Sequence, residues 1–269
     1  MARIKYAVLG SGSSGNSYVF CKDGAAILVD CGFSFKELSR RLDETGVSAE
    51  SVRGLFLTHL HPDHACGAGV LVRRLGIPVF VSRDAVEGEA AVWAKLRIPQ
   101  EMVHMVSEGE LVENGGFTLS GFRTTHDSRG SLGWIVDHTD GRFMVLTDSG
   151  SWSEDMAQEA ESADVLFLEA NYDRDMLRTG PYPIRLQKRI SGKWGHLSND
   201  DAFDFLKRSG HLGIDKDYSG KERKIFFIHL SAVNNDPVLL EKQAGVQMWN
   251  NSSFTVCERG KIYSEEWGL

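Results

Sequence analysis

The sequence predicts an α/β fold of two mixed β-sheets packed face to face with helices outside, four layers in all. Three observations lead there. Strand-like runs precede helix-like runs in both halves of the chain. Hairpin signals interrupt that alternation, so the sheets are mixed rather than purely parallel. The 269 residues are 42 % hydrophobic and 25 % charged, an ordinary globular balance, with no repeat, low-complexity tract or Pro-rich linker. Residues 1–269 are therefore read as a single domain.

In chain order, residues 4–9 form an apolar strand that runs into Gly10-Ser-Gly-Ser-Ser-Gly15. Strands at 16–20 and 25–29 are joined by the turn residues Lys22-Asp23-Gly24. Ser34 and Glu37 spell a capping box, with Phe35, Leu38 and Leu42 at helical spacing behind it. A strand at 54–58 leads into His59, another lies at 77–81, and a helix covers 84–96. Further strands are expected at 117–122, 132–137, 142–147 and 164–168, with a helix at 153–162. Residues 173–197 read as irregular and basic. Ser198 caps a helix over 199–209 that stops at Gly210. A strand at 224–228, a helix opened by Asp236-Pro237 and a strand near 254–258 complete the chain.

Charge and cysteine usage narrow the class. Thirty Lys and Arg against 37 Asp and Glu leave a formal charge of −7. That argues against wholesale electrostatic attachment to nucleic acid or membrane, while leaving room for a local basic patch. Cys21, Cys31, Cys66 and Cys257 show no C-x-x-C spacing, so no disulfide framework is expected. The opening residues show no secretory leader, and no apolar run reaches the roughly 18 residues of a membrane span. A cytoplasmic protein is expected.

The glycine loop matches a dinucleotide-binding fingerprint, Gly10-x-Gly12-x-x-Gly15, with Asp30 twenty positions past Gly10. That fingerprint requires a helix after the glycines to receive a pyrophosphate. Here Asn16 to Phe20 is β-rich, and nine residues between Gly15 and Ala25 are too few for a crossover, which needs about a dozen. The loop is instead read as a tight turn with positive φ.

The sharper signal is Thr58-His59-Leu60-His61-Pro62-Asp63-His64, which holds three of the nine histidines within six residues. His59 and His61 leave an extended segment on one side and can share an ion. Asp63 and His64 follow Pro62, where the chain turns, and can face a second ion. A two-metal site needs ligands from other loops. His126, Asp148 and His229 each end a strand-like run, and they supply such ligands.

This order of residues resembles the metallo-β-lactamase superfamily, an αβ/βα sandwich that holds two metals. The resemblance implies that His59, His61 and His126 bind one ion. It implies that Asp63, His64 and His229 bind the second, with Asp148 bridging, and that Asp30 is a buried residue orienting the histidine loop. More narrowly, the chain is similar to the YycJ/WalJ family of metallo-hydrolases. The residues that carry this are Gly10 to Ser17, Val29-Asp-Cys-Gly32, Leu168-Glu-Ala-Asn-Tyr-Asp173 and Gly195-His-Leu-Ser-Asn199. Members of that family are associated with 5′-to-3′ exonuclease action on DNA. Similarity to RNase Z-like enzymes further implies a catalytic pair in which Glu169 holds His196 protonated towards a leaving oxygen.

Two departures from relatives bear on substrate. Asp148 follows His126 by 22 positions, which leaves no room for the tRNA-gripping arm of RNase Z. His229 follows Asp148 by 81 positions, too few for a β-CASP domain. Between them Arg174, Arg178, Arg185, Lys188, Arg189 and Lys193 crowd one segment, with Tyr172, Tyr182 and Trp194 interleaved. Cations that neutralise phosphates and aromatics that stack bases suit a nucleic-acid channel. Ser11, Ser13, Ser14 and Asn16 of the glycine loop are further candidates to touch the scissile phosphate.

The expected chemistry is in-line phosphodiester hydrolysis, with two divalent cations (Zn, Mn or Fe) lowering the pKa of a water. Asp63 and Asp148 are indispensable in this scheme. The alternatives are a hydrolase of a thioester, lactone or cyclic phosphate, and a metal-holding regulatory module. A redox di-iron role is disfavoured, because relatives of that class carry Glu where His61 stands.

Overall fold

In a computed structural model that describes residues 3–212, 223–247 and 252–268, the strands form two seven-stranded mixed sheets flanked by helices. The first two residues, on which the expectation about a leader partly rests, lie outside the described range. The elements are β1 (Ile4–Gly10), β2 (Ser17–Lys22), β3 (Ala25–Val29), α1 (Phe35–Glu44), β4 (Val52–Phe56), α2 (Pro62–Ala65), α3 (Ala68–Leu75) and β5 (Val79–Ser82). Then come α4 (Arg83–Gly88), α5 (Ala90–Leu96), β6 (Val103–Val106), β7 (Leu111–Asn114), β8 (Phe117–Arg123) and β9 (Leu132–His138). The remainder is β10 (Gly141–Leu146), α6 (Glu154–Glu161), β11 (Val165–Glu169), α7 (Arg174–Thr179), α8 (Ile184–Ile190), α9 (Asn199–Arg208), β12 (Arg223–Ile228), α10 (Pro237–Gln247), β13 (Ser252–Val256) and β14 (Tyr263–Trp267). The chain divides into two compact units. The first comprises Met1–Arg123, Ser128–Gly141 and Arg259–Leu269, and the second Thr124–Asp127 and Arg142–Glu258.

In the first unit β1, β2 and β3 form an antiparallel meander, with Phe20 opposite both Tyr6 and Ile27. β4, β5 and β6 continue it in parallel, and β14 pairs antiparallel with β1. Leu28 and Leu55 of the sheet pack with Leu38 and Leu42 of α1 and with Leu71 and Val72 of α3. Ser34 caps α1 by accepting from the Glu37 N–H, as the sequence indicates, while the Glu37 carboxylate pairs with Arg40 and Arg41. The same unit holds the antiparallel strands β7, β8 and β9.

The expected helix over 84–96 is broken at Glu89 into α4 and α5. The Glu89 carboxylate accepts from Ser128 Oγ at 2.8 Å and from the Arg129 N–H at 2.6 Å, and its backbone (φ −123) leaves the helical region. β6, β7, β14 and α3 are absent from the sequence reading. The three strands are short and only half-buried, so their alternation is weak.

In the second unit β10 to β13 run parallel. β11 and β12 are almost wholly buried, which is why they read as continuous apolar runs. Ser198 and Asp201 form the full capping box of α9, and Asp236 accepts from Val238 N–H at the start of α10. Residues 173–197 are not irregular. Asp173 caps α7, accepting from Asp175 N and Met176 N, and α8 follows Pro183. Gly180-Pro-Tyr-Pro183 cuts this stretch into helices of 6 and 7 residues, too short for a 3.6-residue period to show. Among the described residues no disulfide links the cysteines, and no helix is long and apolar enough to cross a membrane.

One buried group in this unit ties the fold to pH. His211 is 1 % exposed, and burial together with the nearby Arg223 charge lowers its pKa from 6.5 to about 3. The unfolded chain therefore takes up a proton below about pH 6.5 that the folded chain refuses, so stability falls with pH from there downwards. Thermal unfolding followed between pH 7 and 4 is expected to show this acid loss, and a His211→Gln variant is expected to show less of it. Identical acid limbs in the two proteins would contradict the assignment.

Candidate metal centre

In the first unit the histidine loop leaves β4 and is sewn to the turn after β3. Asn16 N donates to Asp63 O (2.7 Å), Cys31 N to His64 O (2.7 Å) and Gly67 N to Cys31 O (2.9 Å). The approach is so close that a Cβ on Gly32 would lie 1.9 Å from Asp63 O, so only glycine fits there.

Under this loop lies Asp30, fully buried and in the left-handed region (φ 63). Its Oδ1 accepts from the Thr58 N–H at 2.8 Å, and its Oδ2 from Thr58 Oγ1 at 2.8 Å and from His64 Nδ1 at 2.6 Å. Thr58 Oγ1 gives its proton to Asp30, so the contact with His59 Nδ1 at 3.0 Å is a bond that His59 donates. His59 and His64 are thus both held as Nδ1–H tautomers, with Nε2 as the lone-pair atom. His61 lies edge-on to His59, with ring centroids 4.7 Å apart. Burial raises the Asp30 pKa, and the His64 charge and the bonds from His64 and Thr58 act against that rise.

Asn16 belongs to this constellation. It is buried, its Oδ1 accepts from Gly12 N–H (2.7 Å), and its amino group lies 2.9 Å from His64 Nε2. A metal on His64 has to displace that contact. The glycine loop therefore supports the histidine loop through Asn16, and no helix follows its glycines.

The second unit presents its own donors. Asp148 and His229 stand at strand ends with φ of 51 and 58. His126 Nδ1 donates to Gly195 O (3.0 Å) and His229 Nδ1 to Glu169 Oε1 (2.9 Å), which leaves Nε2 as the lone-pair atom in both. His126 Nε2 lies 3.5 Å from Asp148 Oδ1, and His229 Nε2 lies 3.6 Å from Asp148 Oδ2. These gaps are too long for hydrogen bonds. They match two ligands of one ion: bonds of about 2.0–2.1 Å at a tetrahedral angle put donors roughly 3.3–3.4 Å apart. Each Asp148 oxygen thus has its own imidazole partner, the arrangement a bridging carboxylate needs. Asp148, Glu169, His196 and His229 all offer ligand atoms within 4.8 Å of one another.

Glu169 organises this group. It is fully buried at the end of β11, and its Oε1 takes His196 Nδ1 (2.8 Å) as well as His229 Nδ1. Its Oε2 accepts from Ser149 N–H (2.9 Å) and Leu197 N–H (3.1 Å). Burial opposes its charge, but the His196 charge and the two imidazole bonds outweigh burial and hold the carboxyl below its usual range. The sequence pairs Glu169 with His196 alone; its hold on His229 comes from the fold. Gly150 allows the close packing of this group, since a Cβ there would meet Lys193 O at 2.3 Å and Gly195 N at 2.4 Å.

The donor set fits divalent metal ions. Imidazole Nε2 atoms and carboxylate oxygens are the ligands such ions take, and the Nδ1 contacts of His64, His126 and His229 with a carboxylate or carbonyl are typical of histidines that bind metal.

The six basic residues divide into two groups. Arg174 pairs with Asp200 (3.2 Å) and Asp201 (2.8 Å), Arg178 with Asp175 (3.0 Å), and Arg189 with Asp127 (2.6 Å). Arg185, Lys188 and Lys193 have no ion pair among the described residues. Trp194 is exposed, with Lys193 Nζ 5.5 Å from its ring centroid, whereas Tyr172 is buried. The segment's cations are thus partly neutralised, Arg174 and Arg189 by acids remote in sequence and Arg178 by a local one.

Comparison with known proteins extends these findings. Residues 25–229 match the sequence family described as the beta-lactamase superfamily domain. The chain is 33 % identical over 232 residues to the exodeoxyribonuclease WalJ of Streptococcus pneumoniae, covering 86 % of this chain and 83 % of that protein. It is 27 % identical over 263 residues to the exodeoxyribonuclease YycJ of Bacillus anthracis, covering 98 % and 96 %. Among solved structures, the metallo-beta-lactamase fold protein YhfI from Bacillus subtilis superposes with a TM-score of 0.71 at 19 % identity, over 98 % of this chain and 100 % of that one.

The Asp30→Ala variant is expected to weaken divalent-metal affinity about ten- to hundredfold, because His64 and Thr58 lose the acceptor that orients them. Competition with a metal-indicator chelator reads this directly. Wild-type affinity in the variant would show that Asp30 does not orient the metal loop.

Proposed function

The chain belongs to the beta-lactamase superfamily domain family, and on that premise we propose that it is a divalent-metal-dependent phosphodiesterase, a nuclease that degrades DNA from a 5′ end. The observation that carries the reading is Asp148, each of whose oxygens faces the Nε2 of a different histidine at ligand-to-ligand distance. The exodeoxyribonuclease names of the two relatives support the substrate class. In this reading residues 1–269 act as one catalytic domain in the cytoplasm.

The proposed ligand sets are His59, His61 and His126 for one ion and Asp63, His64 and His229 for the other, with Asp148 bridging. Zinc, manganese and iron all suit such mixed nitrogen and oxygen donors. When bound, the ions lower the pKa of a water and offset charge on phosphoryl oxygens. The chain's own groups do the rest. Asp30 and Glu169 hold the imidazoles in the Nδ1–H form. His196 is only partly buried, so its Nε2 can reach a substrate while Nδ1 stays on the anionic Glu169 carboxylate. Positioned by that partner, His196 delivers the proton to the departing oxygen. Arg185, Lys188 and Lys193, together with Arg174, Arg178 and Arg189, supply positive charge along the strand's path.

The test is a metal-supplemented assay of the purified protein on end-labelled single- and double-stranded DNA and RNA, beside a thioester and a lactone, with Asp63→Asn as blank. DNA shortened from its 5′ end by the wild type alone is the expected result. Turnover of the small esters with no cleavage of nucleic acid would overturn the reading. His196→Ala is expected to lower kcat about 10²- to 10⁴-fold, the usual worth of a general acid. Its deficit should shrink on substrates whose leaving group needs no proton, such as a nitrophenyl phosphodiester. An equal loss on both substrates would contradict its role as proton donor.

A further inference from the structure

The second unit contains a cavity of about 480 Å³ that the metal donors do not occupy. α7, α8, the start of α9 and the loop after β10 wall it. Its lining includes Gly150, two positions past Asp148, and Tyr172, three past Glu169. The cavity is therefore joined through short backbone links to Asp148 and to Glu169, which orients His196 and His229.

Its size and chemistry are those of a site for one small anionic molecule. Cavities that take such ligands run from about 300 to 1,000 Å³, and this one falls in the range that suits a single nucleotide. The lining carries Arg174, Arg178 and Lys188, with Ile184 as its exposed apolar side chain and Tyr172 and Leu177 largely buried. Arg174 and Arg178 are already paired with Asp200, Asp201 and Asp175. Asp201 also lines the cavity. Lys188 is exposed and has no ion pair among the described residues, so its charge is available to a ligand.

We propose that this cavity receives the terminal nucleotide of the DNA strand, with its phosphate on Lys188 and its base against the apolar lining at Ile184. The inference rests on the nuclease reading and deepens it. An enzyme that works from an end needs a compartment sized to the last nucleotide, and Lys188 supplies the charge that recognises a terminal phosphate. A bound end then lies beside Gly150, in the loop that carries Asp148.

The test titrates deoxyadenosine 5′-monophosphate and unphosphorylated deoxyadenosine into metal-loaded wild type, Lys188→Glu and Ser191→Trp, the last of which fills the cavity. Lys188 and Ser191 are both exposed, so both variants are expected to fold, and unfolding midpoints check this. The expected result is that the monophosphate binds wild type more tightly than the nucleoside does. Lys188→Glu should lose about ten- to hundredfold of that affinity and the preference for phosphate with it. Ser191→Trp should weaken both ligands. On oligonucleotides, the preference for 5′-phosphorylated over 5′-hydroxyl ends should disappear in Lys188→Glu. Equal monophosphate affinity in all three proteins, or no binding to wild type, would overturn the proposal. Cleaved oligonucleotides with unchanged end preference in Lys188→Glu would overturn it while leaving the nuclease reading intact. Monophosphate binding that depends on Lys188 in a protein that cuts no oligonucleotide would instead overturn the nuclease reading.

Discussion

A carboxylate buried away from water is costly unless its lone pairs are used. Glu169 meets that condition with four donors: two imidazoles on one oxygen and two backbone N–H groups on the other. The donors come from three places in the chain, the loop after β10, the segment before α9 and the end of β12. A single buried charge therefore fixes the mutual positions of Ser149, His196, Leu197 and His229. Asp30 plays the equivalent part in the first unit, where it holds Thr58 and His64 and, through Thr58, His59. Removing either acid would leave several donors buried without their acceptor, a larger penalty than the loss of one bond.

The backbone bears the strain of this arrangement. Asp30, Asp148 and His229 are three of the five described non-glycine residues with positive φ, and each stands just past a strand. The left-handed region costs such residues free energy, and they persist in it where surrounding contacts outweigh the cost. Here the contacts are those of the buried acids. A strand followed by one left-handed residue turns its last side chain away from the sheet and towards the loops. Rigid β-structure of this kind suits the proposed ligands, whose positions would have to hold to within a fraction of an ångström.

Much of this was legible in the sequence, and for identifiable reasons. The parallel strands β11 and β12 are buried on both faces and so read as apolar runs. Ser198 with Asp201, and Asp236 with Pro237, are start signals whose chemistry is local. The histidine loop was visible because four donor residues fall within six positions. What escaped depends on long-range contacts. α7 and α8 are too short to show a period, and Glu89 breaks a helix through bonds to residues some forty positions away. The hold of Glu169 on His229 spans 60 positions, and nothing local at either residue announces it. Asn16 was noticed for its place in a glycine loop, but its contact with His64 needs the fold. The net charge of −7 is similarly silent, because Arg174 and Arg189 are matched by acids that only folding brings to them.

The claim on which all this turns is that buried acids and carbonyls fix the imidazoles as Nδ1–H tautomers, so that their Nε2 atoms serve as metal ligands. Long-range ¹H–¹⁵N correlation spectra of the histidine side chains, recorded on the metal-loaded protein, measure this directly. The expected result is Nδ1 protonation in His59, His64, His126 and His229, with Nε2 shifted by metal coordination. Nε2 protonation in any of the four, or Nε2 resonances unmoved by metal, would contradict it.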